Sequence, residues 1–149
     1  RGEQEQLRRF LFALCLGNRD EADDIAQESL VKAYLSSSGY QDKGKFTSWL
    51  YRIAHHTFLD HMKNRKSLQP LDTAYDIADT SMPADSSFRY QELYAALDTL
   101  PPKERSSILL FYIKGYSVKE ICLITDSSED AVKKQLSRGR EHLKTKLKR

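Results

Sequence analysis

The strongest constraint on the fold of this chain comes from residues 117–147, whose pattern predicts two amphipathic helices separated by a polar turn. Ser117, with Glu120 three residues later, forms a capping box, in which each side chain satisfies a backbone N–H at the start of a helix. The short helix that follows has one apolar face, formed by Val118, Ile121 and Cys122. This pattern predicts a helix-turn-helix.

The turn and the second helix of this motif are equally well marked. A polar cluster interrupts the apolar pattern: Thr125, Asp126, Ser127 and Ser128. The cluster supplies the next N-cap, with Asp130 three residues after Ser127. The second helix has an apolar stripe at steps of three or four residues: Val132, Leu136, Gly139, Leu143 and Leu147. Its outward positions are basic or polar: Lys133, Lys134, Ser137, Arg138 and Lys144.

The second helix is strongly basic, with eight basic residues against three acidic ones between residues 128 and 149. A solvated helical hairpin can also carry such charge, so the motif needs support from its geometry. The combination of a short helix, a tight turn and a longer basic helix favours a reader of the DNA major groove.

Composition limits the class of protein. The chain has 149 residues, 40% of them hydrophobic and 30% charged, as expected of one ordinary domain or two small ones. No apolar run is long enough to cross a bilayer, and the first nine residues are too polar for a secretory signal, which favours a cytoplasmic protein without membrane insertion. Because the sequence does not begin with Met, an upstream signal stays open. Cys15 and Cys122 lie on apolar helix faces and are expected to be buried free thiols.

Two helices are predicted before residue 40. The first spans residues 4–16 and ends at Gly17-Asn18; its apolar positions are Leu7, Phe10, Leu11 and Leu14. The second is capped by Asp20 and runs to about Ser38. Its mostly small inner face is formed by Ala22, Ile25, Ala26, Leu30 and Ala33. Its opposite side mixes polar and aliphatic groups, Asp24, Gln27, Glu28, Val31 and Leu35, and is interpreted either as a solvated face or as a partner site.

A polar turn at residues 40–45 precedes a third helix, from Phe46 to about Arg65. One stripe is expected in the core: Phe46, Leu50, Ile53 and Thr57. Aromatic and cationic residues interleave around the rest: Trp49, Tyr51, Arg52, His55, His56, Phe58, His61, Lys63, Arg65 and Lys66. That mixture suits single-stranded nucleic acid, because bases stack on rings and cations follow phosphates, although packing explains most of the rings equally well. His61 shares a helix face with neither His55 nor His56, so no metal site is expected.

Residues 67–88 lose helical periodicity, contain two prolines and four aspartates, and have no Lys or Arg. They are predicted to be an acidic linker. A helix at 89–99 follows, and Pro101-Pro102 begins another, which buries Ile108, Phe111 and Tyr112 before Lys114-Gly115 ends it. The predicted fold class is therefore all-α, with two small helical domains joined by an acidic linker and a helix-turn-helix in the second domain.

In this order the motifs resemble those of bacterial extracytoplasmic-function (ECF) sigma factors of the sigma-70 family, which direct RNA polymerase to promoters. Residues 21–34, EADDIAQESLVKAY, resemble the family's core-binding helix, and residues 46–66, FTSWLYRIAHHTFLDHMKNRK, its promoter-melting helix. The family's second domain is resembled by residues 96–121, ALDTLPPKERSSILLFYIKGYSVKEI, together with residues 130–143, DAVKKQLSRGREHL. The resemblance covers nearly the whole chain and implies a domain at 1–66, a flexible linker at 67–88 and a domain at 89–149.

The resemblance implies three sets of site residues. The contact with the clamp helices of the polymerase's largest subunit maps onto Asp24, Gln27, Glu28 and Val31. The surface that captures the unwound minus-10 box maps onto Arg52, His56 and Lys63. The reader of the minus-35 box maps onto Lys133, Lys134, Ser137 and Arg138, with Arg140 and Lys144 expected on phosphates. The implied partners are core RNA polymerase and promoter DNA; an anti-sigma factor is a candidate that the sequence does not identify. No cofactor or metal is implied, and the flexible linker is expected to leave the two domains unfixed until the polymerase spaces them.

Two positions depart from the family's pattern. His56 stands where the family usually has Asn, and Thr125-Asp126-Ser127 replaces a more usual Leu-Gly-Ile turn. The turn loses two aliphatic side chains, but Asp tolerates the left-handed conformation that Gly would supply.

Two other classes of function were weighed. A stand-alone helix-turn-helix regulator explains the second half of the chain but leaves the aromatic and basic first half without a role. An enzyme would need a metal site, and the carboxylates Asp20, Asp23, Asp24 and Glu28 lack a second cluster to complete one for phosphoryl chemistry. Enzymatic activity is therefore not expected.

Overall fold

A computed structural model of the chain describes residues 2–36, 46–68 and 84–147, with side chains for 4–36, 46–64 and 91–147. The regular structure within these ranges is entirely helical, which confirms the all-α fold class. The helices are α1 (Gly2–Leu14), α2 (Arg19–Ser36), α3 (Phe46–Leu68), α4 (Ala84–Asp98), α5 (Pro102–Tyr112), α6 (Val118–Thr125) and α7 (Glu129–Leu147). None of these described helices combines the length and apolar character needed to span a membrane.

The turn between α1 and α2 has the predicted left-handed glycine, but the residue that caps α2 differs from the prediction. Gly17 adopts a left-handed conformation with φ of 86°, as predicted, and its N–H donates to the Phe12 carbonyl at 2.9 Å. A side chain here would also lie against the Tyr94 ring, 2.9 Å from a Cβ. Asn18 caps α2, since its Oδ1 accepts from the Glu21 N–H at 3.1 Å, so the cap predicted at Asp20 was wrong.

The first three helices enclose an apolar core. The predicted α1 stripe is fully buried, as are most of the small residues of the α2 inner face. On α3 the prediction needs correction, because Tyr51, His55 and Phe58 are also buried rather than arranged outward with the cations. The Tyr51 ring packs edge-on against Phe10, with centroids 5.2 Å apart. Packing, the alternative that the sequence left open, accounts for these rings.

Helix boundaries around the predicted linker also differ from the prediction. Helix α3 continues to Leu68, and α4 begins at Ala84 rather than at 89. The predicted linker therefore contributes residues to both helices, while 69–83 lie outside the described residues, as do the polar turn at 40–45 and the predicted end of α2 at Ser38. Pro101 caps α5 with Pro102 in its first turn, as expected. Tyr112, predicted to be buried, is 56% exposed.

The first helix of the helix-turn-helix has the predicted capping box, whereas the cap of the second is Ser128 and not Ser127, whose spacing to Asp130 suggested it. The Ser117–Glu120 capping box is present, with the Ser117 N–H donating to Glu120 Oε1 at 2.8 Å. Asp126 ends α6 in the left-handed region, at φ 58° and ψ 44°. The buried Thr125 hydroxyl donates to the Ile121 carbonyl at 2.8 Å, so a hydrogen bond replaces the aliphatic packing that this turn lacks. Ser128 caps α7, its Oγ accepting from the Ala131 N–H at 3.1 Å.

Helix α7 packs closely on α5 through its predicted apolar stripe. Val132, Leu136 and Gly139 are buried, and Leu143 is half-buried. A Cβ at Gly139 would lie 2.5 Å from Cγ1 of Ile108, so the absence of a side chain lets the two helices approach.

The two halves of the chain pack against each other, chiefly where α3 meets α6 and also where α5 meets α1 and α3. His55 Nδ1 and Ser106 Oγ are hydrogen-bonded at 2.9 Å across this interface. Nearby, the rings of Tyr51 and Tyr116 meet edge-on with centroids 6.0 Å apart. In this conformation, polar and aromatic groups of α3 that suit nucleic acid therefore form part of an intramolecular interface. The flexible linker stays a prediction, since residues 69–83 lie outside the described part of the chain.

Candidate polymerase and nucleic-acid interfaces

The proposed polymerase contact lies on the outer face of α2, and we call Asp24, Gln27, Glu28 and Val31 the α2 strip. All four residues are exposed, on the side of α2 opposite its buried residues. The strip continues into two large exposed side chains, Tyr34 at 79% and Leu35 at 73%. With Val31 they form a cluster of exposed apolar side chains beside carboxylates, and such a cluster is typical of a surface that binds a partner. The helical period predicts Leu35 on this face, whereas Tyr34 was not among the residues predicted there.

Glu28 is less available than the rest of the α2 strip. Its carboxylate is 3.2 Å from Lys32 Nζ and 3.0 Å from His61 Nε2, so it links α2 to α3. The hydrogen bond from His61, more than the charge of Lys32, holds the pKa of Glu28 below its ordinary value. A substitution at Glu28 would therefore disturb helix packing as well as the outer surface. Glu28 is solvated, with 45% of its side chain exposed, but it also bonds to α3.

The minus-10 candidates share one side of α3. At about 100° per residue, Arg52, His56 and Lys63 fall within an arc of about 40°. Lys63 is exposed, and the side chains of Arg52 and His56 are each 42% exposed. Their arrangement along the helix suits a negatively charged strand.

Arg52 is hydrogen-bonded to the helix-turn-helix. Its Nη1 donates to Asp126 Oδ1 at 2.9 Å and its Nη2 donates to Oδ2 at 3.0 Å, which is the paired geometry that a guanidinium forms with a carboxylate or a phosphate. Nη1 also donates to the Leu123 carbonyl at 2.7 Å. The guanidinium holds the pKa of Asp126 below its ordinary value.

His56 adds a second contact to the same carboxylate. Its Nε2 lies 3.6 Å from Asp126 Oδ2, and its Nδ1 is 2.9 Å from the Arg52 carbonyl. Sequence reasoning had noted Asp126 only for its turn conformation. Arg52 and Asp126 are 74 positions apart in the sequence, and no local pattern indicated that the two would meet.

The minus-35 candidates form an open basic face on α7. Lys133, Lys134, Ser137, Arg138 and Lys144 are all exposed, as predicted from the helical period. Within this face, Lys133 Nζ lies 3.9 Å from Glu129 Oε1 one turn earlier.

Arg140 is exposed but held in place by aromatic rings. Its Nε donates to the Tyr112 hydroxyl at 2.7 Å, and its guanidinium lies 5.7 Å from the centre of the Phe111 ring. This stacking accounts for the exposed Tyr112, which had been predicted to be buried. Arg140 therefore presents a preset charge beside the open face.

Among the described residues, no cluster of His, Cys, Asp and Glu could hold a metal ion. Cys15 is buried and Cys122 half-buried, and both are free thiols, so the expectation of burial holds fully only for Cys15. What the described surface offers is an acidic and apolar strip on α2 and two cationic faces. The face on α7 is open, and the face on α3 is partly covered by Asp126.

Comparison with known proteins assigns the two halves. Residues 1–68 match Sigma-70 region 2, and residues 90–143 match Sigma-70, region 4. The chain is 30% identical over 143 residues to the ECF RNA polymerase sigma factor EcfG of Rhodopseudomonas palustris, covering 95% of this chain and 78% of that protein. The chain belongs to the ECF sigma factors. It is also 34% identical over 154 residues to the ECF RNA polymerase sigma factor SigW of Bacillus subtilis, covering 92% of this chain and 82% of that relative.

A solved structure supports the fold of this sigma factor. The sigma factor RpoE of Bartonella quintana, crystallised with the anti-sigma factor NepR, superposes with a TM-score of 0.78 at 23% identity, over 98% of this chain and 92% of that chain. Because the superposition spans almost the whole chain, it includes both halves. The function of the chain is that of a sigma factor in transcription initiation, and not that of a stand-alone helix-turn-helix regulator.

Proposed function

We propose that this sigma factor divides its work among three surfaces. The α2 strip binds core RNA polymerase, Arg52, His56 and Lys63 capture the unwound minus-10 box, and the exposed face of α7 reads the minus-35 box. The observation that carries the proposal is the placement of cations on two helices, one in the region 2 match and one in the region 4 match, each on the side facing away from its own core. The DNA-binding units are 1–66 and 89–149, with the acidic segment 67–88 between them.

The minus-35 reader consists of Lys133, Lys134, Ser137 and Arg138, with Arg140 and Lys144 on phosphates. Residues early in the second helix of such a motif approach base edges, and later ones diverge toward the backbone. The protein acts in the cytoplasm, without enzymatic activity of its own. The neighbour of known structure was crystallised with an anti-sigma factor, and we infer that a protein of that class also regulates this chain.

Replacing both Lys134 and Arg138 by Ala should weaken promoter binding by about 1–3 kcal/mol for each base-reading side chain and relax the sequence preference at the positions they read. Lys144→Ala is the matched control, because a phosphate contact should weaken all sequences alike and lower the salt slope by roughly one. The measurement is footprinting of the reconstituted holoenzyme on promoters randomised at the minus-35 box. An unaltered preference in the double variant would exclude these residues as the reader.

Reversing the charge at Asp24 should separate polymerase binding from folding. Asp24→Lys, at an exposed position, should change the free energy of unfolding by no more than about 0.5 kcal/mol. It should weaken binding to core polymerase, since a charge in an interface faces the opposite charge across the contact.

Asp23→Lys controls this experiment, because Asp23 is the exposed neighbour of Asp24 outside the α2 strip. A pull-down with core polymerase and a thermal melt of each variant suffice. Equal retention of the two variants on the polymerase would remove Asp24 from the interface.

A further inference from the structure

A contact between α3 and the turn of the helix-turn-helix joins the two halves of the chain. His56, in the region 2 match, has its Nε2 3.6 Å from Oδ2 of Asp126, in the region 4 match. Asp126 stands in a left-handed C-cap, where Gly is the usual residue because it carries no steric cost there. The turn itself therefore does not call for an aspartate.

The carboxylate of Asp126 has a partner that explains its presence. The Arg52 guanidinium donates hydrogen bonds to both oxygens of the Asp126 carboxylate, at 2.9 and 3.0 Å. It also donates to the Leu123 carbonyl. A guanidinium binds a phosphate by the same paired hydrogen bonds. Asp126 thus offers Arg52 and His56 the kind of anion that a DNA backbone offers.

The contact lies at the accessible edge of the interface between the two halves. The side chains of Arg52 and Asp126 are 42% and 58% exposed, so water and ions reach both. By contrast, His55, one residue from His56, is fully buried against Ser106. An exposed ion pair exchanges partners at little cost, because each charge keeps much of its hydration.

We propose that Asp126 is an intramolecular competitor of promoter DNA, whose carboxylate pairs with Arg52 beside His56 in the closed chain and must leave before the two residues bind the unwound strand. This inference rests on the proposed minus-10 role of Arg52 and His56. One set of guanidinium N–H groups cannot pair with Asp126 and with a phosphate at the same time. The apparent affinity of the free chain for single-stranded DNA is then reduced by the fraction of molecules in which the pair is formed.

Asp126→Gly tests this directly, because Gly adopts φ 58° and ψ 44° without strain and so keeps the turn while removing the carboxylate. The probe is a short fluorescent single-stranded DNA of randomised sequence, titrated with the full chain. We expect binding roughly three- to tenfold tighter than for the wild type, the range for an accessible, doubly hydrogen-bonded ion pair. A thermal melt of the same sample checks that the fold is retained.

Asp130→Asn is the matched control for charge. Asp130 is exposed in the first turn of α7, and this change also removes one negative charge from the helix-turn-helix. Its gain in binding should be clearly smaller than that of Asp126→Gly. Equal gains in the two variants, or no gain in Asp126→Gly, would overturn the inference.

Lys63→Ala separates failure of this inference from failure of the proposed site. Lys63 lies on the same side of α3, and its loss should weaken the probe's binding and slow promoter melting by the holoenzyme. If Lys63→Ala and Arg52→Ala both impair melting while Asp126→Gly binds like the wild type, the site stands and the competitor does not. If neither of the α3 variants impairs melting, the minus-10 assignment itself is wrong, and with it the inference.

Discussion

Replacing Arg105 by Met should lower the free energy of unfolding by about 3–5 kcal/mol, the cost of leaving buried carbonyls without a side-chain donor. Arg105 is 5% exposed and donates to three carbonyls: Leu97 at 3.1 Å, Leu14 at 3.0 Å and Leu100 at 3.3 Å. These oxygens lie near the ends of α4 and α1, where helices leave carbonyls without partners. Met fills much of the volume but donates nothing, so the Leu14 and Leu100 carbonyls would lose the Arg105 donor. The Leu97 carbonyl would keep the Leu100 N–H as a donor, at 3.0 Å.

The planar guanidinium of Arg105, more than its charge, is the reason for the expected loss of stability. Arg105→Lys keeps the charge but has a single ammonium group, which cannot reproduce three donors at fixed angles, and should lose most of the same stability. Arg8→Met, on the exposed side of α1, is the control and should stay within about 0.5 kcal/mol of the wild type. Urea unfolding of the three variants makes the comparison. A small loss in Arg105→Met would mean that water or a rearranged helix end satisfies the carbonyls.

Arg105 also shows where sequence reasoning about the fold stops. Local signals were read correctly: the Ser117–Glu120 box, the prolines that begin α5 and the left-handed Gly17 all depend on residues within one or two turns. The cap of α2 was misplaced by two residues, because Asn18 and Asp20 are both good caps and the sequence does not rank them. The bond from Arg105 to Leu14 spans 91 residues, and no periodic pattern encodes such a contact.

The site residues likewise divide into those predicted from local patterns and those that depend on contacts between distant parts of the chain. The outward face of α7 followed from the helical period alone, and the structure leaves it open. Arg52 and His56 were placed on an outward side of α3, but their partner Asp126 comes from the other half of the chain. Buried rings on α3 were hard to separate from exposed ones, since an aromatic residue suits both a core and a base-stacking surface. Tertiary packing decides which role each ring has, both within the first half, as for Tyr51 on Phe10, and between the halves, as for His55 on Ser106.

His55 should make the packing of the two halves sensitive to acid. The residue is fully buried between α3 and α5, with its Nδ1 hydrogen-bonded to Ser106 Oγ at 2.9 Å. Its Nε2 has no hydrogen-bond partner within the described part of the chain, so a proton added there would place an unsatisfied charge in the interior. Burial, assisted by the positive charges of His56 and Lys103, lowers the pKa of His55 from 6.5 to about 3.

The direction of the effect follows from which state takes up the proton. Above pH 6.5, His55 is neutral whether the chain is folded or unfolded, and its burial carries no proton penalty. As the pH falls from 6.5 toward about 3, only the unfolded chain takes up the proton, and stability is progressively lost. The limiting slope for one such group is about 1.4 kcal/mol per pH unit.

His55→Asn isolates this contribution, because Asn retains hydrogen-bonding capacity toward Ser106 but does not titrate. The variant will have its own stability at neutral pH, so the slope is the quantity to compare. Urea unfolding of both proteins at several pH values from about 4.5 to 7 should give a steeper loss toward acid for the wild type, by up to about 1.4 kcal/mol per pH unit. Parallel curves would show that His55 accepts a proton in the folded chain, which would require the interface between α3 and α5 to open below pH 6.5 without unfolding the helices.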